Sequence, residues 1–401
     1  MKILYINSFY PPNVGGGAEL SVQLIAEQML RLGHEVVVLA TKALGSMEME
    51  DINGVKVYRA AIKNNYWPLT ENRPGKISRL LWHIKDVYNT PMRHIVQEVL
   101  SAEHPDIVSC HNMSCWSVSI WKQIKKNNVP IVQVLHDLYL LCPNSNMFKN
   151  EQTCKQQCPL CATLRLPHKK ESKYVDGVIG ISSYILNKLL SFGFFPNSRT
   201  NKVIYNIRTV PQREINTTCT NELTFGFLGT ITEAKGIELL INTFKEIKDK
   251  HIKLLIGGKG QIEYMGKIQN MVVTDPRIQL LGFVNSQEFY AKIDILVIPS
   301  QWEEPLGMVA VEACANNVPI IASETGGLKE IVKNNINGYT FRNGDRQSLK
   351  EKMTQIIENK DLIYILKENA RTSVNTFLDE NRIAMEYNEV YTQIINDWQC
   401  S

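Results

Sequence analysis

Glu304 and Glu312 stand eight residues apart in the stretch P-S-Q-W-E-E-P-L-G-M-V-A-V-E-A-C-A, residues 299–315. The stretch follows Ile-Leu-Val-Ile at 295–298, an apolar run of buried-strand length that ends at Pro299. Leu306, Val309, Ala310 and Ala313 then fall at helical spacing, so a helix is expected with Glu304 just before it and Glu312 two turns in. A strand, a short loop and a helix N-terminus make an anion site, because free backbone N–H groups point outward there. Two carboxylates at such a place repel a phosphate. They suit hydroxyls, with Glu304 exposed and holding a sugar and Glu312 holding a ribose. The plain alternative is an acidic helix start, which the helix dipole favours by itself.

Other chemistry-bearing residues recur at expected strand ends. Pro11-Pro12-Asn13-Val14-Gly15-Gly16-Gly17-Ala18-Glu19 follows the first strand pattern, and its glycines let backbone approach a diphosphate or an acceptor. It lacks the G-x-G-x-x-G spacing of nicotinamide enzymes. His111-Asn112 and His136-Asp137 each close a strand pattern, where each ring is either a satisfied, half-buried group or part of a site. Lys235-Gly236 follow Gly229-Thr230, and Gly257-Gly258-Lys259-Gly260 forms a further glycine turn.

The elements that must position these groups are legible in outline. At 401 residues, and roughly 150 per domain, two domains are expected. Apolar content of 44% and charged content of 21% suit globular cores. A net charge of +4 gives no sign of a nucleic-acid partner. No apolar run approaches the roughly 20 residues of a membrane span, and the first strand is too short for a signal peptide. A cytoplasmic protein with reduced cysteines is expected. Strand patterns at 3–7, 35–40, 55–60, 106–110, 131–135, 177–181 and 202–205 alternate with helical ones. In the first helix Val22, Ile25, Met29 and Leu32 share a stripe and Gly33 closes it. Residues 209–221 are polar and read as a linker. The rhythm restarts at 223–228, 252–256, 278–284, 295–298, 320–321 and 339–341. An α/β protein of two doubly wound, mostly parallel domains follows, with ligand in the cleft between them at the carboxyl ends of strands.

P-S-x-x-E-x-P-L-G with its second glutamate resembles the E-x7-E signature of family 4 retaining glycosyltransferases. P-P-N-V-G-G-G-A-E resembles that family's first-strand loop, and F-L-G-T-I-T-E-A-K-G at 227–236 its F-x-G-R-x-x-x-x-K-G. Gly282-Phe283-Val284 resembles the strand lining the base pocket, and Thr325-Gly326-Gly327-Leu328-Lys329-Glu330 the G-G-x-x-E turn. The resemblance implies a GT-B architecture of two Rossmann-like domains facing each other. Residues 1–208 would bind acceptor, joined by the closing helix in 380–401, and residues 209–379 would bind a nucleotide diphosphate sugar. It implies transfer of the sugar to an acceptor hydroxyl by front-face attack, in polysaccharide, lipopolysaccharide or glycolipid synthesis. It implies catalytic roles for His136, near the reacting sugar, Glu304 and Lys235. Donor contacts fall to Gly16, Gly17, Thr230, Lys235, Gly258, Lys259, Phe283, Val284, Glu304, Leu306, Gly307, Met308 and Glu312. The family arginine is Thr230 here, so one cation on the diphosphate is missing. No metal is required where Lys235 and helix N-termini offset leaving-group charge. Two rival readings are a sugar-nucleotide epimerase and a catalytically silent nucleotide-sugar or glycan-binding partner of a glycosyltransferase.

Two segments fall outside that pattern. Cys142, Cys154, Cys158 and Cys161 crowd together, and in a reduced compartment such thiols suggest a structural zinc or a set of free thiols. Residues 64–94 mix Tyr66, Trp67, Arg73, Lys76, Arg79, Trp82, His83 and Lys85. That mixture suits a peripheral contact with the inner membrane face or a lipid-linked acceptor, or an ordinary solvated helix.

Overall fold

The computed structural model describes residues 1–70, 74–212 and 222–400; Arg73 and residues 213–221 of the expected linker lie outside them. The chain forms two compact units. Unit 1 comprises residues 1–147, 155–208 and 379–401, and unit 2 comprises residues 148–154 and 209–378.

Unit 1 holds β1 (Lys2–Ile6), β2 (Glu35–Lys42), β3 (Glu48–Ile52), β4 (Val55–Ala61), β5 (Ile107–Cys110) and β6 (Ile131–Leu135). A hairpin of β7 (Phe148–Lys149) and β8 (Gln152–Thr153) belongs to unit 2, and β9 (Gly177–Gly180) and β10 (Thr200–Val203) return to unit 1. The sheet order is β10-β9-β6-β5-β1-β2-β4-β3. All its pairs are parallel except β3 with β4. Strands β1, β5, β6 and β9 are buried almost throughout, because helices cover both faces of a parallel sheet. Strand β3 escaped sequence reading for a physical reason. Its Glu-Met-Glu-Asp-Ile is an exposed, charged edge with no apolar period. The Gly17–Arg31 helix buries Val22, Ile25 and Met29, while Leu32 lies beyond its end and is exposed.

Unit 2 holds β11 (Leu223–Leu228), β12 (Ile252–Gly257), β13 (Ile278–Gly282), β14 (Ile295–Ile298), β15 (Ile320–Ser323) and β16 (Gly338–Phe341). They form a wholly parallel sheet in the order β13-β12-β11-β14-β15-β16. Phe225, Phe244, Ile256, Ile295, Ile321 and Leu349 are among the residues of its continuous apolar core. The Glu380–Gln399 helix belongs to unit 1 and buries Ile383, Tyr387, Tyr391 and Ile394.

Strand order reverses between β1 and β5 in unit 1, and between β11 and β14 in unit 2. In open α/β sheets ligands bind outside the carboxyl ends of strands at such points. Asn7 and His111 directly follow β1 and β5, and Gly229 and Pro299 directly follow β11 and β14.

Candidate active site

In unit 2 the loop after β14 carries the two glutamates. Glu304 is 5% exposed, which corrects its expected exposure. Its Oε1 accepts from Lys235 Nζ at 2.5 Å and from Ser300 Oγ at 2.7 Å. Lys235 keeps 27% side-chain exposure and lies 5.3 Å over the Trp302 ring. The carboxylate is buried because two donors replace its water, which is what a buried charge requires. The helix after the loop spans Met308–Ala315 and begins later than expected. Gly307 is its N-cap at φ +97°, a left-handed conformation that cannot continue a helix upstream, so Leu306 is a buried loop residue. Glu312 is therefore little more than one turn in, half-buried, with Tyr290 OH donating to its Oε2 at 3.4 Å.

Lys235 is held in place by backbone. Gly236 follows it at φ +70°, and a Cβ there would lie 1.9 Å from the Pro299 carbonyl oxygen, so only glycine fits. The turns after β11 and β12 pair with each other: Ile231 N–H donates to the Lys259 carbonyl at 2.8 Å, beside a bridge from Ile231 to Gly260. This brings the exposed Thr230 and the exposed Lys259 onto adjoining turns. Gly258 donates to the Gly282 carbonyl at 2.7 Å, which joins the turn after β12 to the end of β13. Phe283, just beyond β13, is 77% exposed with Lys259 Nζ 5.1 Å over its ring, and Val284 is half-buried. Met308 opens the helix and is half-buried. Unit 2 thus presents cations and carboxylates on loops that all leave the carboxyl edge of one sheet.

In the counterpart in unit 1 the side chains of Glu19, His111, His136 and Arg208 are buried, while Gly16 and Gly17 are exposed. Gly16 caps the Gly17–Arg31 helix and its N–H donates to Glu19 Oε2 at 2.8 Å, so this donor is already engaged. Glu19 is 3% exposed, and Asn112 Nδ2 reaches its Oε1 at 3.5 Å. Arg208 donates to the Gly17 carbonyl at 3.1 Å and to Ser21 Oγ at 2.9 Å. Nothing in Ile-Arg-Thr marks Arg208 as a cation that closes on a loop 191 residues earlier. His111 and His136 meet directly, Nδ1 to Nε2, at 2.9 Å. Burial, then the Arg208 charge, pushes His136 down to about 3, and burial drives His111 well below the usual histidine range. Both rings are neutral at pH 7. Burial raises Asp137 to about 6, while its Oδ1 accepts from the Tyr139 N–H at 2.8 Å.

The cysteines divide. Cys142 and Cys161 place their sulfurs 3.9 Å apart in unit 1, and Cys154 belongs to unit 2. Among the described residues no group of three or more His, Cys, Asp or Glu is placed to hold a metal ion. The aromatics of residues 64–94 take the anchoring part that goes with the solvated-helix reading. Tyr66 and Trp67 pack against the cluster of Phe9, Ile62, Trp82 and Cys115, and Trp82 Nε1 donates to the Tyr66 carbonyl at 3.1 Å. They anchor the segment inward and leave the aliphatic side chains outside.

Residues 15–207 match the sequence model described as Glycosyltransferase Family 4, and residues 211–373 match that described as Glycosyl transferases group 1. The chain is 29% identical to an uncharacterised 42.6 kDa protein of the cps region of Klebsiella pneumoniae, over 82% of this chain and 87% of that one. Its fold is similar to sucrose-phosphate synthase from Thermosynechococcus elongatus, with a TM-score of 0.78, 18% identity and 99% of each chain covered. It is also similar to Anabaena HepE in complex with UDP and glucose, with a TM-score of 0.69, 20% identity, and 98% and 100% covered. The two models between them take up most of both units, with the GT-B fold of the solved relatives, and the chain belongs to the family 4, group 1 glycosyltransferases.

Proposed function

We propose that this glycosyltransferase moves a sugar, with retention of configuration, from a nucleotide diphosphate sugar to an acceptor hydroxyl in polysaccharide or lipid-linked glycan synthesis. The observation that carries the reading is the Lys235–Glu304–Ser300 contact at the end of β14. It holds one cation and one carboxylate on a strand-end loop where a charged leaving group and sugar hydroxyls need opposite partners. Lys235, with Lys259 on the adjoining turn, offsets charge on the departing diphosphate, and Glu304 orients sugar hydroxyls. Glu312 takes the ribose, and His136 contacts the reacting sugar from unit 1. UDP bound to Anabaena HepE supports a nucleotide donor, and the capsular polysaccharide biosynthesis glycosyltransferase CapM of Staphylococcus aureus, 29% identical over 43% of this chain, supports a polysaccharide product. The test is a panel of nucleotide sugars with and without glycan acceptors, read as nucleoside diphosphate release, with the product's anomeric configuration read by NMR. Inversion would overturn retention. Epimerised donor would favour an epimerase, and binding without turnover a silent partner.

The site of action we infer is the inner membrane face. Among the described residues no helix is long and apolar enough to cross a membrane. The Lys76–Val87 helix instead turns Ile77, Leu80, Leu81 and Ile84 outward, at 76%, 47%, 51% and 51% exposure. The exposed charges on this helix, and on the Pro159–Glu171 helix packed against it, are Lys76, Lys85, Lys169 and Lys170. Among the described residues of these two helices the exposed charges beside the apolar stripe are all lysines, which suits a bilayer with anionic headgroups.

A further inference from the structure

The His111–His136 contact is the end of a longer chain of buried groups. Tyr391, on the Glu380–Gln399 helix, donates its OH to Ser109 Oγ at 2.8 Å. Ser109, in β5, lies 3.1 Å from His111 Nε2, and His111 Nδ1 lies 2.9 Å from His136 Nε2. Tyr391 and Ser109 are 0% exposed, His111 is 2% and His136 is 7%. Among the described residues His136 Nδ1 has no hydrogen-bond partner.

A line of neutral groups, each with one hydrogen to give, can run through in two directions; a third arrangement, with Ser109 accepting from both Tyr391 and His111, leaves the Ser109 hydrogen and His136 Nδ1 both unmet along the line. In the first, Tyr391 donates to Ser109, Ser109 to His111 Nε2, and His111 Nδ1–H to His136 Nε2. Every hydrogen then has an acceptor except the one on His136 Nδ1. In the second, His136 Nε2–H starts the line and Tyr391 receives from Ser109. The Tyr391 hydrogen can then pass only to the neighbouring Tyr5 hydroxyl, whose own hydrogen is buried with no acceptor among the described residues. His136 Nδ1 is also left as an unmet acceptor. The second direction orphans both ends of the line, the first only the end at the site, and buried polar groups without partners are costly. Which ring nitrogen holds the proton is set by what the other nitrogen bonds.

We propose that Tyr391, Ser109 and His111 form a one-way hydrogen-bond relay that fixes His136 as the Nδ1–H tautomer, a donor aimed at an oxygen of the bound sugar nucleotide. Tyr391, Ser109 and His111 are positioning residues, acting only through His136. The oxygen acceptor rests on the transferase reading above; the tautomer does not.

The test uses the full chain labelled with ¹⁵N-histidine at pH 7, with the His136 signals assigned by their loss in His136→Gln. The expected result is a protonated Nδ1 and a bare Nε2 on His136 without any ligand. In Ser109→Ala and in Tyr391→Phe the direction is no longer set, and His136 should shift toward a mixture of tautomers. Tyr387→Phe, which alters a neighbouring buried phenol outside the relay, should leave the tautomer unchanged. A proton on Nε2 in the unaltered protein overturns the proposal even if a variant fails to fold. So does an unchanged His136 in both relay variants, or an equal shift in Tyr387→Phe. None of these readouts needs a sugar, so failure of the donor panel and failure of the relay are separate results.

Discussion

The two strand-end sites solve the placement of polar groups in opposite ways. In unit 2 the groups are charged and compensate each other: Lys235 stays partly in solvent while Glu304, 5% exposed, leans on it. In unit 1 the groups are neutral histidines, 2% and 7% exposed, whose hydrogens are allotted by neighbours. A charged pair can exchange partners when a diphosphate arrives, because Coulomb attraction is long-ranged and tolerant of geometry. A neutral relay cannot; it offers one hydrogen in one direction. On the function proposed above, unit 2 binds charge and unit 1 orients a neutral group.

Removing a partner from the charged pair tests the first half most severely. Glu304→Ala should lower transfer about 10²–10³-fold while the fold survives, since Lys235 is left with access to water. Lys235→Met should also lower stability, by about 1–3 kcal/mol, because it strands a buried carboxylate on Ser300 alone. Steady-state rates and thermal melts on both variants decide, and equal melting points would erase the asymmetry.

Adding charge sharpens the same half. Thr230→Arg should tighten nucleoside diphosphate binding about ten- to hundredfold, through a charge-assisted contact worth roughly 1.5–3 kcal/mol. Calorimetry on both proteins reads it. Weaker binding with the fold intact would mean that Lys259, on the adjoining turn, already holds that place.

A third comparison concerns surfaces rather than sites. If unit 1 alone meets the membrane, Leu81→Asp with Ile84→Asp should weaken sedimentation with phosphatidylglycerol vesicles about tenfold or more, given roughly 1.5–3 kcal/mol per buried aliphatic side chain. Unchanged binding would remove the Lys76–Val87 helix from the contact.

The smallest effect is on acid stability. Burial holds His136 near 3, His83 near 4, and His111 and His168 well below their ordinary 6.5. Between pH 6.5 and 4 the unfolded chain takes up protons on these rings that the folded unit refuses, so stability falls with pH. Asp86 and Asp137, raised to about 6, act the other way between 6 and their ordinary 3.8, but they are fewer. In unit 2 the lowered Asp275 gives stability that is present above 3.8 and lost only below it. Hydrogen exchange at pH 7 and pH 5 should therefore show unit 1 loosening first, and equal loosening of the two units would contradict the assignment.

The sheets were legible because parallel strands buried on both faces must be apolar runs, as Ile295–Ile298 is. The β7–β8 hairpin was not, because its turn places Asn150 and Glu151 at positive φ, and glutamate gives no sign of that. Glu304, Glu312 and Lys235 stood out by spacing, but the partnership of Glu304 with Lys235 spans 69 residues and no local pattern announces it. Tyr391 was invisible for the same reason at greater range, 282 residues from Ser109. Arrangement between distant strand ends is a property of topology, which periodicity reports only in outline.

The interruption of unit 1 by residues 209–378 has a consequence for synthesis. On the ribosome the residues of unit 2 are all in place before the Glu380–Gln399 helix emerges, although unit 1 begins first. Until then the nascent unit 1 lacks Tyr387, Tyr391 and Ile394, and leaves bare the sheet surface they cover. Its apolar surface must wait for as long as 170 further residues take to be made. At about 5–20 residues per second that is roughly ten to thirty seconds of exposure. During those seconds Ser109 has no donor and His136 no fixed tautomer, so the unit begun first acquires its chemistry last.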